Sequence, residues 1–326
     1  MAKILITGGA GYVGTPLTEQ LLKNNHEVTI LDLFLYGENV LEDNKNLKKI
    51  KGDIRDINTI RSAFKDKDTI IHLACISNDP SFELNPTLGK SINLDPFEPM
   101  VKTAKELGVG RFIYASSSSV YGIKAEKDVT EDMSLNPLTD YSKYKAMCED
   151  ILFKYKSNDF ITTVIRPATV CGYSKRLRLD LVVNILTNLA YHNRLITIFG
   201  GEQLRPNIHI QDMIRAYQKV MEAEPSKVNG EIFNAGFENI KVVEIANKVK
   251  NILGSDIKIE KKETNDNRSY HISSKKIFSV LDYKAEHTID DAIKDLLLVF
   301  EEKKLKDPIN NINFYNIKLM QSINLV

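Results

Sequence analysis

The sequence predicts an α/β protein, a doubly wound parallel sheet with a smaller C-terminal lobe, on three observations. Short β-branched and aromatic runs alternate with amphipathic helical stretches through the first half. The first run ends in a glycine-rich turn that opens a helix. Past Gly172 the rhythm changes, and runs and helices follow one another less regularly.

Strands are predicted at 3–7, 27–31, 47–51, 69–73, 112–116 and 162–166, each a brief run of the kind buried on both sheet faces. Helices are predicted between them at 15–24, 58–64, 92–107 and 141–156. This alternation makes consecutive strands parallel. In the second half a helix at 179–191 leads to strand-like runs at 195–199 and 207–210, then a helix at 213–222 and a strand at 231–234. Amphipathic helices follow at 242–253 and 288–300, while 307–326 is Asn- and Ile-rich and suggests no role.

Composition narrows the class. Hydrophobic residues make up 43% and charged residues 27% of the 326, enough apolar content for a sizeable core. A formal net charge of +1 gives no global field that would favour nucleic acid or an acidic membrane. The three cysteines, Cys75, Cys148 and Cys171, are scattered and form no metal-ligand pattern, which points to buried thiols in a reducing compartment. The apolar run at Ile4 stops at glycines after a few residues, and no stretch approaches the roughly 20 apolar residues that span a bilayer. The expectation is a soluble, cytoplasmic protein that holds no metal.

Thr7–Gly14 reads Thr-Gly-Gly-Ala-Gly-Tyr-Val-Gly, with Gly8, Gly11 and Gly14 at three-residue spacing. Gly8 suits the tight turn, Gly11 lets backbone approach a pyrophosphate, and Gly14 allows close helix–strand packing. The helix start behind them, with Tyr12 and Val13, offers amide N–H groups to phosphate. Asp32 ends the second run, about 20 residues on, where a carboxylate accepts from the adenosine ribose. No Lys or Arg follows it until Lys45, which favours NAD over NADP. An ordinary solvated acid is the competing reading of Asp32. Asp53, with Ile54, follows the third run and suits either the adenine amino group or simple turn chemistry. Leu73 and Ala74 close the fourth run, at the same carboxyl edge. The turn marks the sheet as Rossmann-type. The expected division is a dinucleotide domain from 1–171 with 207–234, a substrate-binding lobe from 172–206 with 235–306, and an extension at 307–326.

Tyr141 and Lys145 stand four residues apart on one helix face. A phenol is a poor base at its usual pKa near 10, and a neighbouring ammonium favours its ionised form. Ser116–Ser119 end the fifth run, where a hydroxyl can meet both the Tyr141 oxygen and a substrate oxygen. A Tyr-x-x-x-Lys pair alone is common on solvated helices; joined to the glycine turn and the serines it becomes specific.

Thr7–Gly14, His72-Leu73-Ala74, Ser116–Gly122 and Tyr141–Lys145 together resemble the extended short-chain dehydrogenase/reductases, the NAD-dependent epimerase/dehydratase family that includes UDP-galactose 4-epimerase. The resemblance covers roughly 1–300. It implies Ser117 as the catalytic hydroxyl, Tyr141 as acid and base, and Lys145 as its partner, with Tyr141 and Lys145 also on the nicotinamide ribose. Asn93 matches the family's asparagine beside the active site, or is a polar residue on a helix face. The implied reaction is hydride transfer between NAD and a ring carbon, C4, of a nucleoside-diphosphate sugar. Epimerisation, 4-dehydrogenation and 4-keto reduction are its versions, and a non-catalytic NAD-binding regulator is the alternative of another class. A homodimer through helices 92–107 and 141–156 is also implied.

Further positions bear on the substrate. The 4,6-dehydratase branch carries Asp-Glu after the catalytic hydroxyl; Ser118 and Ser119 stand there instead, so that elimination lacks its proton carriers. Asn78, in the 77–81 loop, is expected to line the sugar pocket. Arg205 and Arg268 resemble diphosphate clamps, with surface salt bridges as the competing account. Thr169 replaces an asparagine that commonly contacts the substrate diphosphate. Arg176 and Arg178, in a basic 174–181 stretch similar to a subgroup that includes a GDP-heptose 4-dehydrogenase, either contact phosphate or coat a helix start.

Overall fold

The computed structural model describes residues 1–264 and 269–323. Strands β1 (Lys3–Thr7), β2 (Glu27–Asp32), β3 (Leu47–Lys51), β4 (Thr69–His72), β5 (Arg111–Ala115) and β6 (Ile161–Pro167) come in chain order, separated by helices. The short β7 (Thr169–Cys171), β8 (Leu195–Phe199), β9 (Leu204–His209), β10 (Glu231–Ala235), β11 (Glu238–Lys241) and β12 (Lys258–Lys262) follow. Seven of them form one sheet in the order β10-β6-β5-β4-β1-β2-β3, every pair parallel. The order reverses between β1 and β4. In a doubly wound sheet that switch point opens a crevice at the carboxyl ends, and ligands bind there.

Period-two alternation divides the core. Ile4, Ile6, Ile30 and Ile71 pack on one face with Leu17 and Leu21 of the helix Gly14–Lys23 and Met213 and Tyr217 of the helix Ile210–Glu222. Leu5, Leu31, Ile70 and Phe112 point to the other face, against Ile60, Phe64, Met100 and Leu152. A third cluster, including Val183, Ile196, Ile245 and Ile293, forms the core of the C-terminal lobe. There β11-β9-β7 and β12-β8 make two small sheets. β7 and β9 thus belong to a small sheet, outside the seven-stranded one.

The helix expected over 92–107 is two helices, Pro86–Asn93 and Phe97–Glu106. Pro96 caps the second, since its ring cannot donate to a continuing helix. Pro99 is tolerated because it lies in the first turn, where no intrahelical acceptor awaits an N–H. The 141–156 segment is a helix over Asp140–Lys154, started by a capping box between Thr139 and Ser142. A buried ion pair fastens it to the sheet: Arg166 Nη2 of β6 lies 2.6 Å from Glu149 Oε2, both side chains 3% exposed. Arg166 Nη1 also donates to the Tyr121 hydroxyl at 2.7 Å.

Residues 307–323 of the extension fold back. Its helix, Asn316–Ser322, buries Leu319, and Tyr315 before it is buried too. The Leu179 amide donates to the Phe314 carbonyl at 2.8 Å, so the extension lies along the segment ahead of the helix Val182–Asn193.

Candidate active site

A cavity of about 470 Å³ occupies the crevice at the switch point. Gly8, Gly11, Tyr12, Val13, Gly14, Asp32, Asp53, Ile54, Leu73 and Ala74 line it, together with Asn78, Ser117, Ser118, Ser119, Tyr141, Lys145, Thr169, Arg176, Arg178 and Arg205. Of the residues singled out in the sequence for cofactor or substrate, Arg268 alone is not placed; it lies outside the described residues.

The glycine turn is shaped by contact. A Cβ on Gly8 would stand 2.7 Å from the Ala74 amide nitrogen, and its φ of +74° suits glycine. A Cβ on Gly14 would stand 2.3 Å from the Gly8 carbonyl oxygen. No side chain caps the helix that Gly14 begins, and its first turn carries no acid, so its positive end faces the crevice uncontested. The Tyr12 hydroxyl donates to the Gly172 carbonyl at 2.6 Å and accepts from Asn184 Nδ2 at 3.1 Å. Its side chain therefore ties the turn to the 172–184 segment.

Asp32 accepts from the Ala10 amide at 3.0 Å and the Phe34 amide at 2.8 Å, one per carboxylate oxygen. Burial pushes its pKa up, opposed by those amides and by the charge of Arg176. Each oxygen keeps a lone pair for a ribose hydroxyl. Asp53 shows the turn chemistry: Oδ1 accepts from the Arg55 amide at 2.8 Å, and the Arg55 guanidinium grips the carboxylate, Nη2 to Oδ2 at 2.7 Å. Burial works against the carboxylate, but Arg55 outweighs it and holds Asp53 below its ordinary range.

Tyr141 stands at the start of its helix and is 9% exposed. Lys145 Nζ donates to the Ala115 carbonyl at 2.7 Å and lies 5.8 Å from the centre of the Tyr141 ring. The shift runs against the expected acidification: burial holds Tyr141 well above the usual phenol range, Cys75 and Asp79 add to that, and Arg178 only partly offsets it. Ser117 Oγ is 2.8 Å from Ser119 Oγ and caps the short turn Ser118–Tyr121, while Ser116 turns away to bond Glu149.

The loop after β4 forms the crevice wall. Asn93, buried, accepts from the Ile76 amide and donates to the Ile76 carbonyl, both at 2.9 Å. Asn78 has a positive φ of 73° and spends its side-chain oxygen on the Ser81 amide. Thr169 opens β7 opposite Asn207, and Arg205 lies 5.7 Å from the Tyr270 ring. Arg176 stacks on Tyr36, its Cζ 3.4 Å from the ring centre, and Arg178 Nη1 donates to Ser77 Oγ at 3.0 Å. Tyr36, Asn316 and Met320 also line the cavity and went unnoticed in the sequence. Tyr36 follows Asp32 by four residues but carries no motif of its own, and Asn316 and Met320 come from a segment far along the chain.

Residues 4–236 match the NAD dependent epimerase/dehydratase family. The chain belongs to that family. NAD is accordingly its cofactor, and the crevice fits the group: a tight glycine cradle over an uncapped helix start, with Asp32 at one end and Tyr141 and Lys145 at the other. A UDP-glucose 4-epimerase of Lactobacillus helveticus is 28% identical over 316 residues, covering 89% of this family member and 94% of that protein. An uncharacterized UDP-glucose epimerase of Bacillus subtilis is 31% identical over 266 residues, covering 77% and 82%. Among solved structures, a UDP-glucuronic acid 4-epimerase from Bacillus cereus, in complex with UDP-glucuronic acid and NAD, superposes with a TM-score of 0.82 at 25% identity, covering 92% of this chain and 99% of that one. A dTDP-glucose 4,6-dehydratase from Streptomyces venezuelae shares the fold at a TM-score of 0.84 and 21% identity, over 94% and 99%. Among the described residues no helix is long and apolar enough to cross a membrane.

Proposed function

We propose that this protein moves hydride between NAD and C4 of a nucleoside-diphosphate sugar, as an epimerase or as a 4-dehydrogenase or 4-keto-reductase that releases its product. The observation that carries the reading is the single crevice that joins the glycine turn, Ser117, Tyr141, Lys145 and Arg205. The names of the L. helveticus and B. cereus relatives support the substrate class.

When bound, NAD would supply a hydride acceptor for the ring carbon and, once reduced, a hydride donor. The chain's own groups do the rest. Ser117 Oγ positions the reacting oxygen and Tyr141 exchanges its proton. Lys145, steadied on the Ala115 carbonyl, stabilises the phenolate that forms when Tyr141 gives its proton away. Burial raises the pKa of the phenol, so losing its proton depends on that cationic help. Ser118 and Ser119 bring no carboxyl group to this wall, which argues against 4,6-elimination.

Incubation with NAD and a panel of UDP-, GDP-, CDP- and dTDP-sugars, read by NMR and by NADH absorbance, tests the proposal. A C4 stereoisomer without net NADH indicates an epimerase, and a keto-sugar with NADH a dehydrogenase. Supplying 4-keto-sugars with NADH covers the reverse direction. No change in any of these would overturn the reading in favour of a non-catalytic NAD-binding protein.

A further inference from the structure

Arg176 and Arg178 are too deeply placed to coat a helix start. They are 4% and 7% exposed, and the following helix begins only at Val182. Arg178 donates Nε to Asp180 at 2.6 Å and Nη1 to Ser77. Arg176 donates Nη2 to Asn316 Oδ1 at 2.6 Å. Arg176 Nε and Arg178 Nη2 are buried without a hydrogen-bond partner. Two guanidinium charges thus share one adjacent carboxylate, Asp180, whose other oxygen already accepts from the Asn316 amide at 2.8 Å. Asp32 also acts electrostatically on Arg176 while its oxygens accept from amides, so the unmet demand lies in the two unpartnered donors. A buried guanidinium donor without a partner is costly, and burial holds Arg176 below the ordinary guanidinium range. An anionic ligand in the crevice would relieve that cost.

Position selects the anion. Arg176 lies on Tyr36, four residues past the ribose acid Asp32, and Arg178 reaches the loop after β4. Both arginines line the same crevice as the glycine turn, Asp32 and Tyr141, and Arg176 acts electrostatically on Asp32. Arg205 lines it beside Tyr270.

We infer that Arg176 and Arg178 form a cationic clamp on the diphosphate of the dinucleotide, opposing the glycine turn, with Asn316 of the C-terminal extension holding Arg176 in place. This rests on the NAD reading above, and it moves both arginines from the substrate role expected in the sequence to the cofactor. The shared chemistry is a diphosphate, and the nucleotide sugar is its other source.

Calorimetric titration of NAD, adenosine and UDP into cofactor-stripped parent, Arg176→Met and Arg178→Met proteins tests it. Each variant is expected to weaken NAD about 10- to 100-fold, the loss of charge-assisted contacts, while adenosine and UDP change less than about threefold. Asn316→Leu should weaken NAD by a smaller factor. Unchanged NAD with weakened UDP would overturn the clamp and return the arginines to the substrate. Equal weakening of NAD and adenosine would overturn it too, because adenosine carries no phosphate. If the methionine variants do not fold, Arg176→Lys and Arg178→Lys keep the charge but lose the forked donors, and unchanged NAD affinity in both would equally overturn it. A parent protein that binds no NAD would instead refute the functional reading itself.

Discussion

In the proposed reaction Tyr141 is the proton carrier, and its surroundings set two opposing demands. Burial raises the pKa of the phenol, while Lys145 supplies the positive charge that a departing proton requires. Tyr141→Phe removes the proton carrier and little else. It should lower kcat by about 10²- to 10⁴-fold with NAD affinity unchanged, checked by turnover beside a binding titration. His72 in β4 shows burial acting on stability. Its ring, 2.6 Å from Thr7 Oγ1, is pushed down to about 3 by burial, with Lys145 adding to the effect. The folded value lies below the ordinary 6.5, so the unfolded chain binds the proton first. This contribution is fully present above about pH 6.5 and is lost at about 1.4 kcal/mol per pH unit as pH falls toward 3. Urea unfolding at pH 7 and pH 5 should show the loss, and His72→Asn should diminish it.

At the scale of elements, the loop after β4 depends on one side chain. Asn93 satisfies both backbone groups of Ile76, so Asn93→Ala leaves two buried polar groups unpaired. The expected costs are about 1–3 kcal/mol in stability and a several-fold rise in substrate KM, measured by denaturation and steady-state kinetics. The elements most legible in the sequence were those whose signals are local. β1 and β4 follow from short apolar or β-branched runs, and the glycine turn from its spacing. The 92–107 helix misled because the apolar periodicity continues across Pro96, while the backbone does not. β11 and β12 escaped notice because they are short and largely polar, and they gain strand character only by pairing with β9 and β8.

At the scale of the molecule, the crevice is assembled from segments far apart in the chain. Asn316 meets Arg176 across 140 residues, and no local pattern foretells such a contact. The reversal of strand order between β1 and β4 was implicit in the alternation of strands and helices, whereas the return of 307–323 onto the site was not. The Arg166–Glu149 pair joins these levels by locking the Tyr141 helix to the sheet. Glu149→Gln leaves Arg166 buried without its counter-charge. It should cost about 3–5 kcal/mol, visible as a lower urea midpoint.

The most direct test of hydride transfer at C4 follows the hydrogen itself. A sugar nucleotide found to turn over is prepared with deuterium at C4 and incubated with NAD in ordinary water. The label is then traced by mass spectrometry. Deuterium recovered in the reduced cofactor, or returned to C4 of the product, is the predicted result. Deuterium lost to water, with an unlabelled cofactor and product, would contradict the account.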